Sequence, residues 1–242
     1  MLIKTRGIVL KAIRYGETSV IADVYTEQRG LRKYIINGVR SRKARIPASL
    51  LQVISLIEMV AYNRDDRQLN HVKEMRAAYV YQSLPFDVRK GAIALFMAEV
   101  LRKTIRESEE NTALFAFLAD TFQYLDTTTH AVGNLHLHFL LELSAFLGFV
   151  PDGAFGADTP CFDLQEGVFV ADTPGHRHFL NPELSERLSD LLHCSLAHCH
   201  EVALGAAQRR QLLQILLDFY RLHLDYMPEI HAHEVLHEVL SG

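Results

Sequence analysis

Residues 8–36 read IVLKAIRYGETSVIADVYTEQRGLRKYII, three short apolar runs separated by two polar turns around Gly16 and Gly30. Short runs rich in Val, Ile and Tyr and bounded by turn residues are typical of β-strands. Two further runs, at 51–62 and 68–75, follow with the same texture. Five short strands within the first 80 residues predict a small closed β-barrel of the OB type, a common scaffold for single-stranded nucleic acid.

Charge is divided unevenly along the chain. Residues 1–80 hold 15 Lys and Arg against 7 Asp and Glu, a formal charge of +8, whereas the remaining residues sum to −12. The overall charge of −4 hides this basic module. A positive module in an otherwise acidic chain indicates a polyanionic partner, and nucleic acid is the leading candidate.

Most of these cations lie at predicted strand ends and turns, and four of them fall within six residues from Arg40 to Arg45. Cations at several strand ends of one barrel can follow a phosphate backbone, with an affinity that falls as salt rises. The simpler interpretation is a solvated surface that keeps the protein soluble, and the charge asymmetry favours nucleic acid over it. The candidate contacts are Lys11, Arg14, Arg29, Arg32, Lys33, Arg40, Arg42, Lys43, Arg45, Arg64 and Arg67.

Tyrosines bear on how a ligand would be held. The first 80 residues contain Tyr15, Tyr25, Tyr34, Tyr62 and Tyr79 but no Phe, and the whole chain has no Trp. Single-strand binders commonly stack bases on exposed aromatic rings, but a strand tyrosine is more often half-buried in the core. We therefore expect contacts with the nucleic-acid backbone to dominate, with little sequence preference.

The sequence pattern becomes helical after residue 80, where apolar residues recur at spacings of three and four. Helices are predicted to begin near Pro85, Asn111, Asn134, Asn181 and Gln208. Asn181 is a favourable N-cap, and Gly148 is expected to end the third helix as its C-cap.

A stretch rich in Gly, Pro and Asp interrupts the helical pattern around 151–180. Its alternating piece at 167–170 predicts a β-hairpin. The fold class is therefore α+β: an N-terminal five-stranded OB-type barrel over 1–80, followed by a mainly α-helical C-terminal domain over 81–242 with a small non-helical insert.

Composition and motifs exclude several classes of protein. The opening MLIKTRG lacks the apolar stretch of a secretory signal, and no apolar run reaches the roughly 18 residues that span a bilayer. Three cysteines, all late in the chain, do not suggest a disulfide framework. The sequence contains no phosphate-binding glycine loop and no Gly-x-Ser-x-Gly nucleophile motif. We expect a cytoplasmic protein without membrane contact, cofactor or enzymatic activity.

Dispersed segments in both halves match one family. They are RGIVLK (6–11), YGETS (15–19), YTEQRG (25–30), GVR (38–40), AEVL (98–101), EENT (109–112), LF (114–115), FL (139–140), LGFVP (147–151), PEI (228–230) and EVL (234–236). In this order they resemble RecO, the bacterial recombination mediator and DNA-repair family, over nearly the whole chain.

The resemblance implies a function. RecO proteins have an N-terminal OB-fold and a helical C-terminal domain, bind single- and double-stranded DNA and anneal complementary strands. With RecR they assist loading of RecA onto DNA covered by the single-strand-binding protein SSB. Members also recognise the acidic C-terminal tail of SSB through the helical domain, for which Arg102, Lys103 and Arg106 are available. The same three cations are equally well explained as an exposed helix face.

Metal-binding patterns are incomplete. Many RecO members carry a zinc-ribbon-like insert with two Cys-x-x-Cys pairs, where this chain offers Cys161, His176 and His178. Structural zinc requires four Cys or His ligands, so we expect no metal there. The cluster from Cys194 to His200 would not place its ligands on one face of a helix. His233-Glu234-Val235-Leu236-His237 fits the metalloprotease pattern, but only five residues follow it.

Other functions remain open at this stage. A general OB-fold RNA-binding protein would prefer RNA and ignore SSB. A zinc hydrolase would depend on Glu234, and a structural interaction module would bind no nucleic acid. The charge asymmetry and the resemblance favour the DNA mediator.

Overall fold

The computed structural model describes residues 1–41, 44–62, 69–106 and 109–241 of the chain. They form two compact units, Met1–Thr128 and Thr129–Gly242. The first unit holds a β-barrel and two α-helices, and the second holds a small sheet together with one helix before it and three after it. A barrel followed by a helical region confirms the α+β fold class. A domain boundary at residue 80 stays a prediction.

Five strands close the barrel, and they confirm the predicted OB-type architecture. They are β1 (Leu2–Tyr15), β2 (Ser19–Thr26), β3 (Gly30–Ile36), β4 (Leu56–Tyr62) and β5 (Leu69–Ala77). Their order is β1-β2-β3-β5-β4, with β4 pairing back onto β1. Neighbours are antiparallel except β3 and β5, which are parallel. A bulge between Val9 and Lys11 bends the long β1, which pairs with both β2 and β4.

Side chains alternate between the barrel interior and its outer face. In β2, Val20, Ala22 and Val24 are buried in the interior, while Ile21 and Asp23 between them are only partly buried. Each buried aliphatic side chain contributes about 1.5–3 kcal/mol, so a one-residue slip in register would be costly. This alternation decides which cations of a strand face solvent.

The fourth strand begins later than the sequence predicts. The apolar run from Leu51 was expected to be strand throughout, but Ala48–Leu51 is a short 3-10 helix. The chain then turns at Ile54, which has φ 69° and donates its N–H to the Val9 carbonyl at 2.7 Å. The prediction was wrong here because an apolar run does not show where the backbone reverses.

The two helices of the first unit are α1 (Val88–Thr104) and α2 (Thr112–Thr127). The Asp87 carboxylate caps α1, accepting from the Arg89 and Lys90 amides at 2.8 and 3.1 Å. The helix therefore begins after Pro85 rather than at it. Asn111 caps α2 as predicted, accepting from the Leu114 amide at 2.9 Å.

A carboxylate on α2 anchors the segment that joins β5 to α1. Asp126 is 2% exposed and accepts hydrogen bonds from the backbone amides of Gln82, Ser83 and Leu84. The Tyr79 hydroxyl donates to the same carboxylate at 2.9 Å. These contacts explain why both helices fall into one compact unit with the barrel.

The second unit contains α3 (Leu135–Phe146), α4 (Pro182–His193), α5 (Ala206–His223) and α6 (Ala232–Ser241). Gly148 has φ +89° and ends α3 as predicted, with the amides of Gly148 and Phe149 bonded to the carbonyls of Ala145 and Ser144. Asn181 caps α4 as predicted, accepting from the Leu184 amide at 3.0 Å. The sequence analysis did not predict α6.

The non-helical insert forms a three-stranded sheet. Its strands are β6 (Cys161–Asp163), β7 (Val168–Val170) and β8 (Phe179–Leu180), in the order β7-β6-β8. The predicted hairpin is confirmed by the pairing of β6 with β7, and β8 is an addition. The Phe162 ring lies 5.0 Å from Phe169 and 6.0 Å from Phe219, centroid to centroid, so the sheet packs on α5.

Within the described part of the chain, none of the helices combines the length and the hydropathy that crossing a bilayer requires.

Candidate nucleic-acid interface

The outer face of the first three strands carries two of the predicted lysines. Lys11 lies opposite Asp23, and Asp23 lies opposite Lys33, so these residues form one row across β1, β2 and β3. Both lysines are exposed, and Asp23 is half-buried. Neighbouring strands are about 4.8 Å apart, so the lysine backbones are separated by roughly 10 Å. We call Lys11, Asp23 and Lys33 the lysine row.

Three candidate arginines lie at or near one end of these strands. Arg14 is exposed and close to the β1–β2 turn. The Arg40 guanidinium donates to the Glu17 carbonyl of that turn at 3.2 Å, and its amide donates to the Thr18 carbonyl. Arg45 follows on the same connection and is exposed.

The other end of the three strands holds Arg29 and Arg32. Arg29 lies in the β2–β3 turn, and Arg32 is half-buried two residues into β3. Burial raises the pKa of Tyr34 to about 12, and the positive charges of Arg32 and Arg29 oppose that rise. Since β2 is eight residues long, the β1–β2 turn that Arg40 contacts and the β2–β3 turn that holds Arg29 are about 23 Å apart along the strands.

Four candidates lie outside the described residues: Arg42, Lys43, Arg64 and Arg67.

Cations on the first half of β1 and on β5 are neutralised by glutamates. The Arg6 guanidinium donates twice to Glu27, at 2.9 and 2.6 Å, and Glu58 binds Lys4 at 2.6 Å and also Arg76. These hydrogen bonds hold the pKa of both carboxyls below the usual range. Within the described ranges no such ion pair occurs at Lys11, Arg14, Arg29, Lys33 or Arg45. The available positive charge therefore concentrates on β1, β2, β3 and their turns.

The five tyrosines divide into two groups. Tyr25 and Tyr34 are buried, and Tyr79 bonds to Asp126. Tyr15 and Tyr62 are each 52% exposed. Burial of strand tyrosines in the core was expected more often than exposure, and Tyr15 and Tyr62 are the two exceptions.

The cations proposed for SSB recognition are not equivalent. Lys103 forms a 2.7 Å ion pair with Glu99, and both side chains are largely buried. Arg102 and Arg106 are exposed. The apolar residues Val88 and Leu95 on α1 are 73% and 54% exposed.

Seven-residue spacing explains an exposed stripe that sequence reasoning missed. Val88, Leu95 and Arg102 follow one another at this interval, so they share one face of α1. By residue type, Leu95 belongs to the apolar residues that predict the helical pattern after residue 80, yet it is exposed. The spacing to Arg102 was the signal for a solvent-facing position.

The His-Glu-x-x-His motif lies on α6. The His233 and His237 rings are 5.7 Å apart, centroid to centroid, and they line a groove that also includes Arg210 on α5. Burial lowers the pKa of His237, and the charge of Arg210 lowers it further.

The cysteine–histidine cluster at 194–200 does not lie on an α-helix. The argument that an α-helix would separate its metal ligands therefore does not apply. α4 ends at His193, and only Cys199–Glu201 forms a short 3-10 helix. Cys199 is buried, and burial raises the pKa of its thiol to about 12. The Cys194 thiol donates a hydrogen bond to the Leu191 carbonyl.

The remaining zinc candidates are engaged inside the insert. Cys161 is buried in β6, and His176 Nε2 lies 3.2 Å from the Asp163 carboxylate. The His178 amide donates to His176 Nδ1. Among the residues that the structure describes, no three His, Cys, Asp or Glu side chains are grouped to hold a metal ion.

Comparison with known families adds independent findings. Residues 1–81 match the family model described as Recombination protein O N terminal. Residues 85–228 match the model described as Recombination protein O C terminal. Together these two models cover the barrel and most of the helical region.

Curated proteins of the same length are similar along the whole chain. A DNA repair protein RecO of Phocaeicola vulgatus is 36% identical over 241 residues, and one of Bacteroides fragilis is 37% identical over 244 residues. A DNA repair protein RecO of Christiangramia forsetii is 35% identical over 242 residues. Each alignment covers 100% of this chain and 100% of the relative.

Proposed function

Because the chain belongs to the RecO family of DNA repair proteins, we propose that it is a cytoplasmic recombination mediator. In this role it binds single- and double-stranded DNA, anneals complementary strands and, with RecR, assists loading of RecA onto SSB-covered DNA. These steps require charge neutralisation and exchange of partners but no covalent chemistry, so the role we propose is not that of an enzyme.

The observation that carries this proposal is the distribution of free and neutralised cations on the barrel. Glu27 and Glu58 neutralise Arg6, Lys4 and Arg76. Among the described residues, the lysine row, Arg14 and Arg29 carry no such ion pair and are left to meet an external anion. Nucleic-acid phosphates are the anions that match a positive strip about 23 Å long.

Annealing follows from the same charges. Two complementary strands repel each other through their phosphates, and a surface that neutralises several phosphates lowers this repulsion. Contacts of this kind position the backbone and carry no direct sequence information. The protein would therefore handle DNA of any sequence, as repair of random breaks requires.

We further propose that the α1 stripe, defined as Val88, Leu95 and Arg102, receives the acidic tail of SSB. An acidic peptide with an apolar end requires an apolar surface beside a cation, and the stripe offers both on one helix face. Lys103 is the least suited of the three cations first considered, because Glu99 already neutralises it.

The DNA proposal is tested by fluorescence anisotropy of a labelled single strand across a salt series. The double variant Lys11→Gln/Lys33→Gln is expected to bind more weakly and to reduce the salt slope by about 2, one for each lost phosphate contact. Lys4→Gln is the matched control, since Glu58 already pairs with that lysine. An unchanged slope in the double variant would contradict the assignment of the interface.

Unlabelled RNA as competitor separates the mediator from a general RNA-binding protein. A mediator of DNA repair is expected to retain the labelled DNA against an equal amount of RNA, whereas an RNA-binding protein would release it. The tail proposal is tested with a labelled SSB C-terminal peptide, whose affinity should fall in Leu95→Asp. The control is Phe86→Asp, which replaces an exposed apolar side chain that precedes α1 and should leave the affinity unchanged. If the unaltered protein and both variants bind the peptide with equal affinity, the tail proposal is refuted.

A further inference from the structure

An acidic side chain lies in the middle of the candidate DNA interface. In the lysine row, Asp23 on β2 is directly opposite Lys11 on β1 and directly opposite Lys33 on β3. Side chains that are directly opposite on neighbouring strands share one face of the sheet. Within the described residues, the Asp23 carboxylate forms neither an ion pair nor a hydrogen bond, so neither lysine is bonded to it.

The other carboxylates on the barrel strands have cationic partners. Glu58 on β4 and Glu74 on β5 each bind a lysine, at 2.6 and 3.3 Å. Asp23 has no such partner among the described residues, and its neighbours on the same face of β2, Ile21 and Tyr25, carry no charge. A half-buried carboxylate without a bonded donor does not stabilise the fold. Its place between two lysines therefore requires an explanation other than stability.

A phosphate that binds to Lys11 or Lys33 is brought close to Asp23. The backbones of the two lysines are roughly 10 Å apart, and Asp23 lies halfway between them. Two negative charges about 7 Å apart near a protein surface repel each other enough to lower an affinity about fivefold. The carboxylate therefore weakens the hold of the lysine row on DNA, while both lysines remain in place to attract a strand.

Annealing requires that a strand is first held and then released to its complement. A surface that binds a single strand too tightly delays this transfer, because differences in affinity between related complexes lie mostly in the dissociation rate. We propose that Asp23 sets the release of bound DNA, weakening the lysine row so that strands dissociate fast enough to anneal. The inference rests on the proposed function, since it requires the lysine row to hold the phosphates.

The test measures binding, release and annealing with Asp23→Asn, which removes the charge and keeps the shape of the side chain. By fluorescence anisotropy at low salt, the variant should bind a labelled single strand about fivefold more tightly. A chase with unlabelled strand should show dissociation slowed about fivefold, and annealing of two complementary strands at saturating protein should slow with it. The gain in affinity should shrink as salt rises, because ions screen the repulsion.

Further variants separate the charge of Asp23 from other effects. Glu74→Gln makes the same change in net charge on β5, outside the lysine row, and should leave affinity, release and annealing unchanged. Asp23→Glu retains a carboxylate between the two lysines and should behave as the unaltered protein does. If Asp23→Asn folds poorly, Asp23→Ser removes the same charge with a smaller side chain and should give the same gain in affinity.

The outcomes separate this inference from the proposed function. Unchanged or weaker binding in Asp23→Asn would overturn the inference, and so would tighter binding with annealing that is not slowed. An equal gain in Asp23→Glu would also overturn it, since the effect would then not depend on charge. If Lys11→Gln/Lys33→Gln binds DNA as the unaltered protein does, the proposed interface itself is wrong. Weakened binding in that lysine variant, together with no effect of Asp23→Asn, would leave the interface standing and reject the role of Asp23.

Discussion

Asp126 is expected to control the stability of the first unit. Its carboxylate accepts from three backbone amides, those of Gln82, Ser83 and Leu84, at 2.8–2.9 Å and from the Tyr79 hydroxyl at 2.9 Å. Burial by itself raises the pKa of Asp126, but these hydrogen bonds outweigh it and hold the pKa below its ordinary value. The stabilisation is therefore present above the unfolded pKa of about 3.9 and is lost as pH falls through the folded value.

The expected loss of stability follows from the hydrogen bonds that each substitution of Asp126 removes. Hydrogen bonds to a charged group contribute about 1.5–3 kcal/mol each, but they are not additive, and water can reach the exposed Gln82. Asp126→Ala should therefore cost about 4 kcal/mol, within the range for breaking a buried charged pair. Asp126→Asn keeps one acceptor oxygen but turns an NH₂ group toward an amide donor, and should cost about 2 kcal/mol. Either is a large share of a total stability of about 5–15 kcal/mol.

Hydrogen exchange of the backbone amides of residues 82–84 measures the loss of stability directly at the groups that bond to Asp126. A loss of about 2 kcal/mol corresponds to roughly thirtyfold faster exchange of these amides in Asp126→Asn, and the urea midpoint of the first unit should fall as well. Asp120→Asn removes an exposed carboxylate from the same helix and should change neither. Unchanged amide protection in Asp126→Asn would refute the argument that this carboxylate anchors the segment.

Three further predictions concern other parts of the chain. Gly7→Ala should lower the free energy of unfolding of the first unit by about 2 kcal/mol, since the added Cβ would lie 2.6 Å from a buried valine methyl. An unchanged urea midpoint would show that the barrel wall relaxes. Gly148→Ala should lower the free energy of unfolding by only about 1 kcal/mol. The added Cβ would have no atom within 4 Å, and the only strain is the positive φ of +89°. A larger loss of stability in a melting curve would indicate a steric clash. Burial, aided by the charges of Arg209 and His237, lowers the pKa of His136 to about 3, so unfolding should become easier by up to about 1.4 kcal/mol per pH unit as pH falls from about 6.5 toward 3. His136→Gln should flatten that part of the stability–pH curve, and an equally steep curve would assign the effect to other groups.

Much of the architecture was predictable because its signals are local. Strand runs, turn glycines and the change to helical spacing near residue 80 act over a few residues, and they correctly indicated a five-stranded barrel followed by helices. The caps at Asn111, Asn181 and Gly148 were found for the same reason, since a cap bonds to amides or carbonyls within one turn. The strand expected from Leu51 was wrong, because hydrophobicity alone does not reveal a backbone reversal at Ile54.

The sequence by itself determined that a basic barrel precedes an acidic helical region. Only the tertiary structure decided which of the barrel's cations are available. Lys4 on β1 and Glu58 on β4 are far apart in the chain, and they meet because closure of the barrel pairs β4 with β1. The exposure of Tyr15 and Tyr62 likewise depends on strand register. Residue type and charge are written in the chain, but ion pairs and solvent exposure depend on contacts between distant strands, and these exist only once the barrel has closed.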